Sequence, residues 1–146
     1  MKIIINSCFG GFGISNNALI EFMQRKGKEI YFYEGVFVGP DKRIYRKVKA
    51  SNKSLFVNAV CKDFGNEFIP ENDEQFDDFY KHIISNTDEK CRTDVDLINL
   101  LEEKGSKYVS GPCSSLKIVE IPDDVEWEVE EYDGSEWISE KHRTWN

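Results

Sequence analysis

The chain has 146 residues, a length typical of one domain, and its formal net charge is −8 at pH 7 because 27 Asp and Glu residues outnumber 19 Lys and Arg. This acidic balance argues against non-specific binding to nucleic acid or to an anionic membrane, since both surfaces repel negative charge. Aromatic residues make up 13% of the chain, which excludes the composition of a disordered protein. The longest apolar run is far shorter than the roughly 20 residues of a membrane span, and residues 1–6 lack the features of a signal peptide. We therefore expect a cytoplasmic protein.

The first 27 residues predict a strand, a glycine loop and a helix. Residues 2–6 are consecutively apolar and β-branched, a pattern typical of a strand buried on both faces. Three glycines follow within residues 7–14, which we call the glycine loop. Ser15 is a favourable N-cap for a helix over residues 16–26, and Gly27 is a natural stop.

The next segment predicts an antiparallel meander. Its three β-rich stretches cover residues 30–38, 43–49 and 55–60, and turn residues separate them at 39–41 and 51–53.

Two helices are predicted next. Residues 72–85 carry apolar side chains at helical spacing behind Asn72 as the cap, and the stripe consists of Phe76, Phe79, Tyr80, Ile83 and Ile84. Thr93 is the predicted cap of a second helix over residues 94–104, which ends at Gly105.

The remaining strands complete the fold prediction. Residues 116–121 form one strand, and residues 126–140 form a hairpin around the turn Asp133-Gly134. The order β-α-β-β-β-α-α-β-β-β predicts a single domain, 1–146, of the α+β or mixed α/β class with a mixed sheet and about three helices. We expect residues 2–6 to pair in parallel with residues 116–121, and the hairpin to extend the same sheet.

Three segments resemble a family of small uncharacterised proteins encoded by bacteriophages and prophages. They are the opening Ile4–Ser15, the internal Arg92–Leu97, and the closing stretches Leu116–Asp123, Glu130–Gly134 and Glu140–Trp145. The family pattern usually has a proline where this chain has Val95. The resemblance covers about a third to a half of the chain, and it implies a viral origin and a host-cytoplasm setting without an agreed activity.

The glycine loop is the sharpest candidate site. Backbone N–H groups in such a loop can converge on an anion, and the following helix N-terminus adds partial positive charge. The segment matches neither the P-loop nor the dinucleotide-binding fingerprint, so a tight connection that only glycine fits is the alternative. The predicted ligand-binding residues here are Cys8, Phe9, Gly10, Gly11, Phe12, Gly13 and Ser15. The two phenylalanines either stack on a base or plug the core, and the core is the favoured role.

Basic residues elsewhere extend this prediction. Arg92 either clamps a phosphate or is solvated and pairs with Asp94 or Asp96. His142 and Arg143 lie in a basic-aromatic cluster at the end of an acidic chain, which predicts either an anion contact or an edge strand with solvated charges.

Catalytic and metal signals are weak. The four cysteines, Cys8, Cys61, Cys91 and Cys113, include no close pair, so free thiols are expected. The two histidines show no ligand spacing and no triad order. We predict no catalytic residue, cofactor or metal; a nucleophilic Cys8 near a helix N-terminus is the enzymatic alternative.

Three functions follow in order of preference. The first is a binder of a phosphorylated small molecule, a nucleotide, that sequesters a host immune signal. The second is an acidic protein that inhibits a host enzyme by binding it. The third is a cysteine-dependent or phosphate-handling enzyme. Crowding of Trp127, Trp137 and Trp145 near one end also predicts a homo-oligomer.

Overall fold

The computed structural model of the chain describes residues 1–49 and 56–141, which form an α+β domain. The first half contains β1 (Lys2–Asn6), α1 (Asn16–Arg25), β2 (Tyr31–Phe37), β3 (Arg43–Val48), β4 (Val57–Val60) and β5 (Glu67–Phe68). The second half contains α2 (Asp73–Lys81), a 3-10 helix (Glu89–Thr93), α3 (Val95–Lys104), α4 (Ser106–Val109), β6 (Leu116–Glu120), β7 (Trp127–Tyr132) and β8 (Ser135–Glu140). The predicted α+β class is confirmed.

Strand β1 pairs with β6, as predicted, but the pairing is antiparallel, so the predicted parallel pair is wrong. Ile3, Ile4 and Ile5 are buried because α3, the 3-10 helix and β8 contact β1 in addition to β6. The expected burial on both faces favours a parallel pair in the sequence analysis. In the structure, helices and the hairpin bury both faces of β1 although its pairing with β6 is antiparallel.

The predicted single mixed sheet is also wrong, because the described strands form three separate antiparallel sheets. The three predicted strands of the meander are found, and with β5 they form a four-stranded antiparallel sheet in the order β4-β2-β3-β5. The meander order itself is wrong, because β4 pairs with β2 and not with β3. The predicted turn at residues 51–53 lies outside the described residues. Phe32 on one face joins the core that contains α1 and α3, whereas Tyr33 on the other face joins Tyr45, Val60 and Phe79 of α2. The sheet therefore separates two hydrophobic clusters.

Helix α2 ends at Lys81, four residues before the predicted end. Beyond it the chain is extended: Ile83 bridges Val60, and the backbone N–H of Ile84 donates to the carbonyl of Ala59 at 2.7 Å. The β-sheet thus competes with the helix for these residues. Phe79 is fully buried on the predicted stripe, whereas Phe76 and Tyr80 are exposed.

Helix α3 begins one residue later than predicted, since its cap is Asp94. The Asp94 carboxylate accepts a hydrogen bond from the backbone N–H of Asp96 at 2.9 Å. Thr93 instead ends the 3-10 helix, so its predicted capping role is wrong. Gly105 ends α3 with a φ of 81°, as the sequence predicts.

The predicted hairpin is confirmed, with Asp133 and Gly134 at φ values of 51° and 84°. Both positive values suit a two-residue turn of type I′. The hairpin forms a sheet of its own and does not extend the sheet of β1 and β6. Trp145 lies outside the described residues, and the homo-oligomer stays a prediction.

Candidate functional site

The glycine loop connects β1 to α1, and hydrogen bonds hold it at both ends. The backbone N–H of Ser7 donates to the carbonyl of Ser115 at 2.8 Å, and that of Ile14 donates to the carbonyl of Asn86 at 3.0 Å. Ser15 caps α1 as predicted, because its hydroxyl accepts from the backbone N–H of Ala18 at 3.1 Å. The loop therefore begins and ends at defined places.

Close packing explains two glycines at this site. A Cβ atom on Gly10 would lie 1.6 Å from the carbonyl oxygen of Cys113. A Cβ atom on Gly134, in the hairpin turn, would lie 2.5 Å from the backbone nitrogen of Gly11. The alternative predicted from sequence, a connection that only glycine fits, thus describes Gly10 well.

The other two loop glycines differ from Gly10. Gly11 has open space around its missing side chain but a φ of 85°, which disfavours other residues. The carbonyl of Gly13 accepts hydrogen bonds from the backbone N–H of Gly111 at 2.8 Å and from the hydroxyl of Ser114 at 2.6 Å. Backbone angle and carbonyl contacts therefore fix the half of the loop that precedes α1.

The middle of the loop differs from its two ends in how its backbone N–H groups are used. Within the described part of the chain, no backbone N–H from Cys8 to Gly13 donates a hydrogen bond to another protein group. Phe9 and Gly10 are exposed, and Cys8, Gly11 and Gly13 are half-buried. This surface can therefore donate to water or to a bound anion.

The two loop phenylalanines have opposite environments. Phe12 is buried in the core, as favoured from the sequence, and its ring centroid lies 4.2 Å from the guanidinium carbon of Arg92. Phe9 is 73% exposed, so the favoured core role is wrong for this residue. Position 9 lies in the loop beyond the end of β1 at Asn6, where the chain is at the surface before Phe12 returns to the core.

Arg92 is buried, so the solvated position that the alternative prediction gave it is wrong. Its two terminal nitrogens donate to the two oxygens of Glu136 at 2.7 and 2.8 Å, and one of them also donates to the carbonyl of Ile4 at 3.1 Å. The guanidinium thus neutralises a carboxylate of this chain. A ligand would have to displace Glu136 to reach these donors, so the structure offers no support for a phosphate clamp at Arg92.

Asn6 joins this ion pair to the loop. Glu136 accepts from the backbone N–H of Asn6 at 2.7 Å. The Asn6 side chain, fully buried, donates to the carbonyls of Cys8 and Gly134 at 2.7 and 2.6 Å and accepts from the backbone N–H of Ser115 at 2.7 Å. Sequence reasoning missed Asn6 and Glu136. The polar residue that ends an apolar strand was the available signal for Asn6.

The cysteine environments do not resemble a nucleophilic site. The Cys8 thiol lies 3.3 Å from Asn6 Oδ1 and from the Cys113 carbonyl oxygen, as a donor to both. Burial and the nearby Asp88 raise the pKa of the Cys91 thiol to about 11. The four thiols are free, as predicted.

The side chain of His82 lies at the end of α2, where its Nδ1 is 2.7 Å from the Asp78 carbonyl oxygen.

Some predicted features lie outside what the structure describes. His142 and Arg143 fall in residues 142–146, and their proposed anion contact stays a prediction.

Within residues 1–49 and 56–141, no group of three His, Cys, Asp or Glu side chains could hold a metal ion. The longest helices there have 10 residues, too short to cross a bilayer.

No protein-family model, curated protein or solved structure matches this chain. The assignment of function therefore rests on the geometry of the loop and its neighbours.

Proposed function

We propose that the chain is a non-catalytic binding protein that holds a phosphorylated small molecule, a nucleotide, at the glycine loop. One observation carries the proposal: the exposed ring of Phe9 stands beside the backbone N–H groups from Cys8 to Gly13, which lack an acceptor within the described residues. An aromatic face and a run of free donors match the two chemically different ends of a nucleotide.

Each end has a known physical basis. Successive backbone N–H groups form a concave donor surface that binds anions, and the N-terminus of α1 adds about half a positive charge to it. A base stacked on an aromatic side chain gains about 1–3 kcal/mol. Arg92 is not needed as a direct ligand, because its role is to hold the strand and the hairpin beneath the loop.

The proposed biological role follows from the resemblance to bacteriophage and prophage proteins. Sequestration of a phosphorylated immune signal in the host cytoplasm requires tight binding and no chemistry. The glycine loop supplies donors and a stacking surface, and Cys8 has no neighbouring base among the described residues. These features favour a binder over the enzymatic alternative.

Isothermal titration calorimetry with linear, cyclic and ADP-ribose-derived nucleotides tests the proposal. We expect one of these classes to bind, and Phe9→Ala to weaken that binding about 5- to 150-fold, which corresponds to the loss of one stacked base. Phe56→Ala is the matched control, because Phe56 is 91% exposed and lies outside the loop. Absence of heat across the panel at about 100 µM, a concentration that detects micromolar affinity, would overturn the proposal.

A second candidate function, an acidic inhibitor that binds a host enzyme, has its own supporting observation. The outer face of the hairpin carries Tyr132, 73% exposed, and Trp137, 44% exposed. The register places Glu130 directly opposite Trp137, and Glu128 lies on the same face. Exposed aromatic residues among carboxylates are typical of a surface that contacts a basic partner.

Affinity capture from host lysate with the wild type and with Trp137→Ser tests this second function. The acidic mode predicts a captured enzyme that is lost both in the variant and at raised salt. Light scattering separates it from self-association, because a homo-oligomer formed through the same face would exceed the 17.0 kDa of one chain without any partner. Equal capture by both proteins would rule out this face.

A further inference from the structure

The hairpin leaves one edge of β7 without a strand partner. Strand β8 contacts β1 and pairs with β7 along its whole length. Strand β7 pairs with β8 alone among the strands in the described part of the chain. It is therefore the outer strand of the hairpin, and one side of its backbone faces away from the rest of the sheet.

The ladder shows which backbone groups point outward from β7. The backbone N–H of Lys141 donates to the carbonyl of Glu126 at 2.9 Å, so these two residues form a hydrogen-bonded pair. Hydrogen-bonded and non-hydrogen-bonded pairs alternate in an antiparallel ladder. The groups that point away from β8 therefore belong to Trp127, Val129 and Glu131, which we call the β7 edge. None of these three N–H groups donates to another group within residues 1–49 and 56–141.

The corresponding edge of β1 is closed by side chains. The carbonyl of Ile4 accepts a hydrogen bond from Arg92 at 3.1 Å, and the backbone N–H of Asn6 donates to Glu136 at 2.7 Å. Side chains thus satisfy the groups of β1 that β6 does not reach. The N–H groups of the β7 edge have no such partner among the described residues, so this edge can pair with a further strand.

The charges on the hairpin restrict which strand can pair there. Residues 125–140 contain no Lys, Arg or His, and their acidic residues are Glu126, Glu128, Glu130, Glu131, Asp133, Glu136 and Glu140. Glu128 and Glu130 are exposed and form no ion pair with any described residue. Like charges opposite one another destabilise paired strands, so a second copy of β7 or another acidic strand is disfavoured. A strand that carries Lys or Arg is favoured for the same reason.

The two faces of β7 differ, and this difference sets the sequence pattern of the partner. Glu128 and Glu130 lie on the outer face of the hairpin, whereas Trp127 and Val129 are half-buried on the other face. Side chains of neighbouring strands lie beside one another on the same face and alternate along each strand. An added strand therefore places cationic side chains beside the glutamates when its apolar side chains cover Trp127 and Val129.

We propose that the β7 edge binds an extended basic segment of another protein, in which Lys or Arg alternates with apolar residues, as an added strand. Main-chain hydrogen bonds to the β7 edge hold the segment, and Glu128 and Glu130 select its charge. The proposal goes beyond the second candidate function, which uses the outer face around Trp137. It does not depend on nucleotide binding at the glycine loop, which the calorimetric titration tests separately.

Amide hydrogen exchange followed by NMR tests the proposal on the whole protein. The probe is the peptide acetyl-KVKVKVK-amide, and its control, acetyl-KKVVVKK-amide, has the same composition without the alternation. We expect the alternating peptide to bind saturably below about 1 mM, to bind more weakly at raised salt, and to slow exchange at the N–H groups of Trp127, Val129 and Glu131.

Four results would overturn the proposal. They are equal binding of the two peptides, absence of saturation below about 1 mM, absence of protection at the three amides, and protection that rises with the concentration of the protein alone. The last result would identify a second copy of the chain as the occupant of the β7 edge.

Three variants separate the β7 edge from the fold and from the outer face. Val129→Pro removes an outward N–H and no bond of the β7–β8 ladder, so we expect the hairpin to form and peptide affinity to fall about tenfold or more. Glu128→Gln combined with Glu130→Gln should weaken binding about 2- to 30-fold, which corresponds to the loss of two cross-strand ion pairs. Trp137→Ser is the matched control, because Trp137 belongs to β8, and we expect it to bind the peptide as the wild type does.

The double glutamate variant decides the outcome even if Val129→Pro does not fold. Unchanged peptide affinity in Glu128→Gln with Glu130→Gln would reject the β7 edge. A loss of affinity in Trp137→Ser as large as in that variant would assign the peptide to the outer face and would reject the β7 edge as well.

Discussion

Arg92 and Glu136, 44 positions apart, form a bidentate ion pair whose side chains are 2% and 7% exposed. Their pairing ties the 3-10 helix to β8, and the hydrogen bonds to Ile4 and Asn6 add β1 to the same network. Three segments that are distant in sequence thus meet beneath the glycine loop. The pair fixes the hairpin against the loop, and this explains why Gly134 can approach Gly11 so closely.

The first prediction concerns this ion pair. Arg92→Ala leaves the Glu136 carboxylate buried without its partner, so we expect the free energy of unfolding to fall by about 3–5 kcal/mol. Replacing both residues, as in Arg92→Met with Glu136→Leu, removes the uncompensated charge and should cost less than Arg92→Ala. Urea denaturation of the variants measures the difference. A loss below about 1 kcal/mol in Arg92→Ala, the value typical of an exposed pair, would contradict the buried pairing.

The second prediction separates the two adjacent glycines. Gly10→Ala forces a methyl group onto the Cys113 carbonyl, and overpacking of this kind typically costs about 1–3 kcal/mol. Gly11→Val meets no neighbour, but its left-handed backbone stores about 1–3 kcal/mol of strain. We expect Gly11→Val to fold and to lose nucleotide binding, because a branched side chain blocks the approach to the loop backbone.

Calorimetry and thermal unfolding of both glycine variants provide the measurement. Each 1 kcal/mol should lower the melting temperature by roughly 2–8 °C for a domain of this size. If Gly11→Val bound nucleotide as the wild type does, the loop would be a structural turn and the proposed site would be wrong.

The third prediction uses the first turn of α3. Val95 is the first residue after the Asp94 cap, its side chain is 64% exposed, and Asp94 has the extended angles, φ −69° and ψ 124°, that a following proline requires. Val95→Pro should therefore stabilise the protein by about 0.4–1 kcal/mol, because it restricts the unfolded chain. Asp96→Pro is the matched control: it removes the N–H that donates to Asp94 and should destabilise. Chemical denaturation checks both signs, and destabilisation by Val95→Pro would show that the helix start differs.

The fourth prediction concerns thiol reactivity. Cys61 and Cys113 are exposed, whereas burial raises the pKa of Cys91 to about 11, which leaves very little thiolate at pH 8. Iodoacetamide should therefore modify Cys61 and Cys113 first and Cys91 last, as followed by peptide mapping. If Cys8 reacted much faster than both exposed cysteines, the enzymatic alternative would gain the support that the structure does not give it.

Local sequence patterns predicted those structural elements well that depend on interactions between residues close in sequence. Strand β1, the Ser15 cap, the strand β3 and the Asp133-Gly134 turn are all confirmed, because β-branched runs, capping hydroxyls and positive φ values act over a few residues. The order of the strands in the four-stranded sheet was predicted wrongly, because it depends on which distant strand pairs with β2. The end of α2 was predicted wrongly because Ile83 and Ile84 gain more from pairing with β4 than from another helical turn. Propensity and periodicity cannot weigh such a distant partner.

At the candidate site, the sequence by itself determined that a glycine-rich turn joins a buried strand to a capped helix. Only the tertiary structure decided that Arg92 faces Glu136 and not solvent, that Phe9 is exposed while Phe12 is buried, and that β1 and β6 run antiparallel. These outcomes depend on which distant segment supplies the buried counter-charge or the apolar neighbour. A buried charge must find its partner wherever the fold brings one, and the spacing of residues along the chain carries no information about that partner.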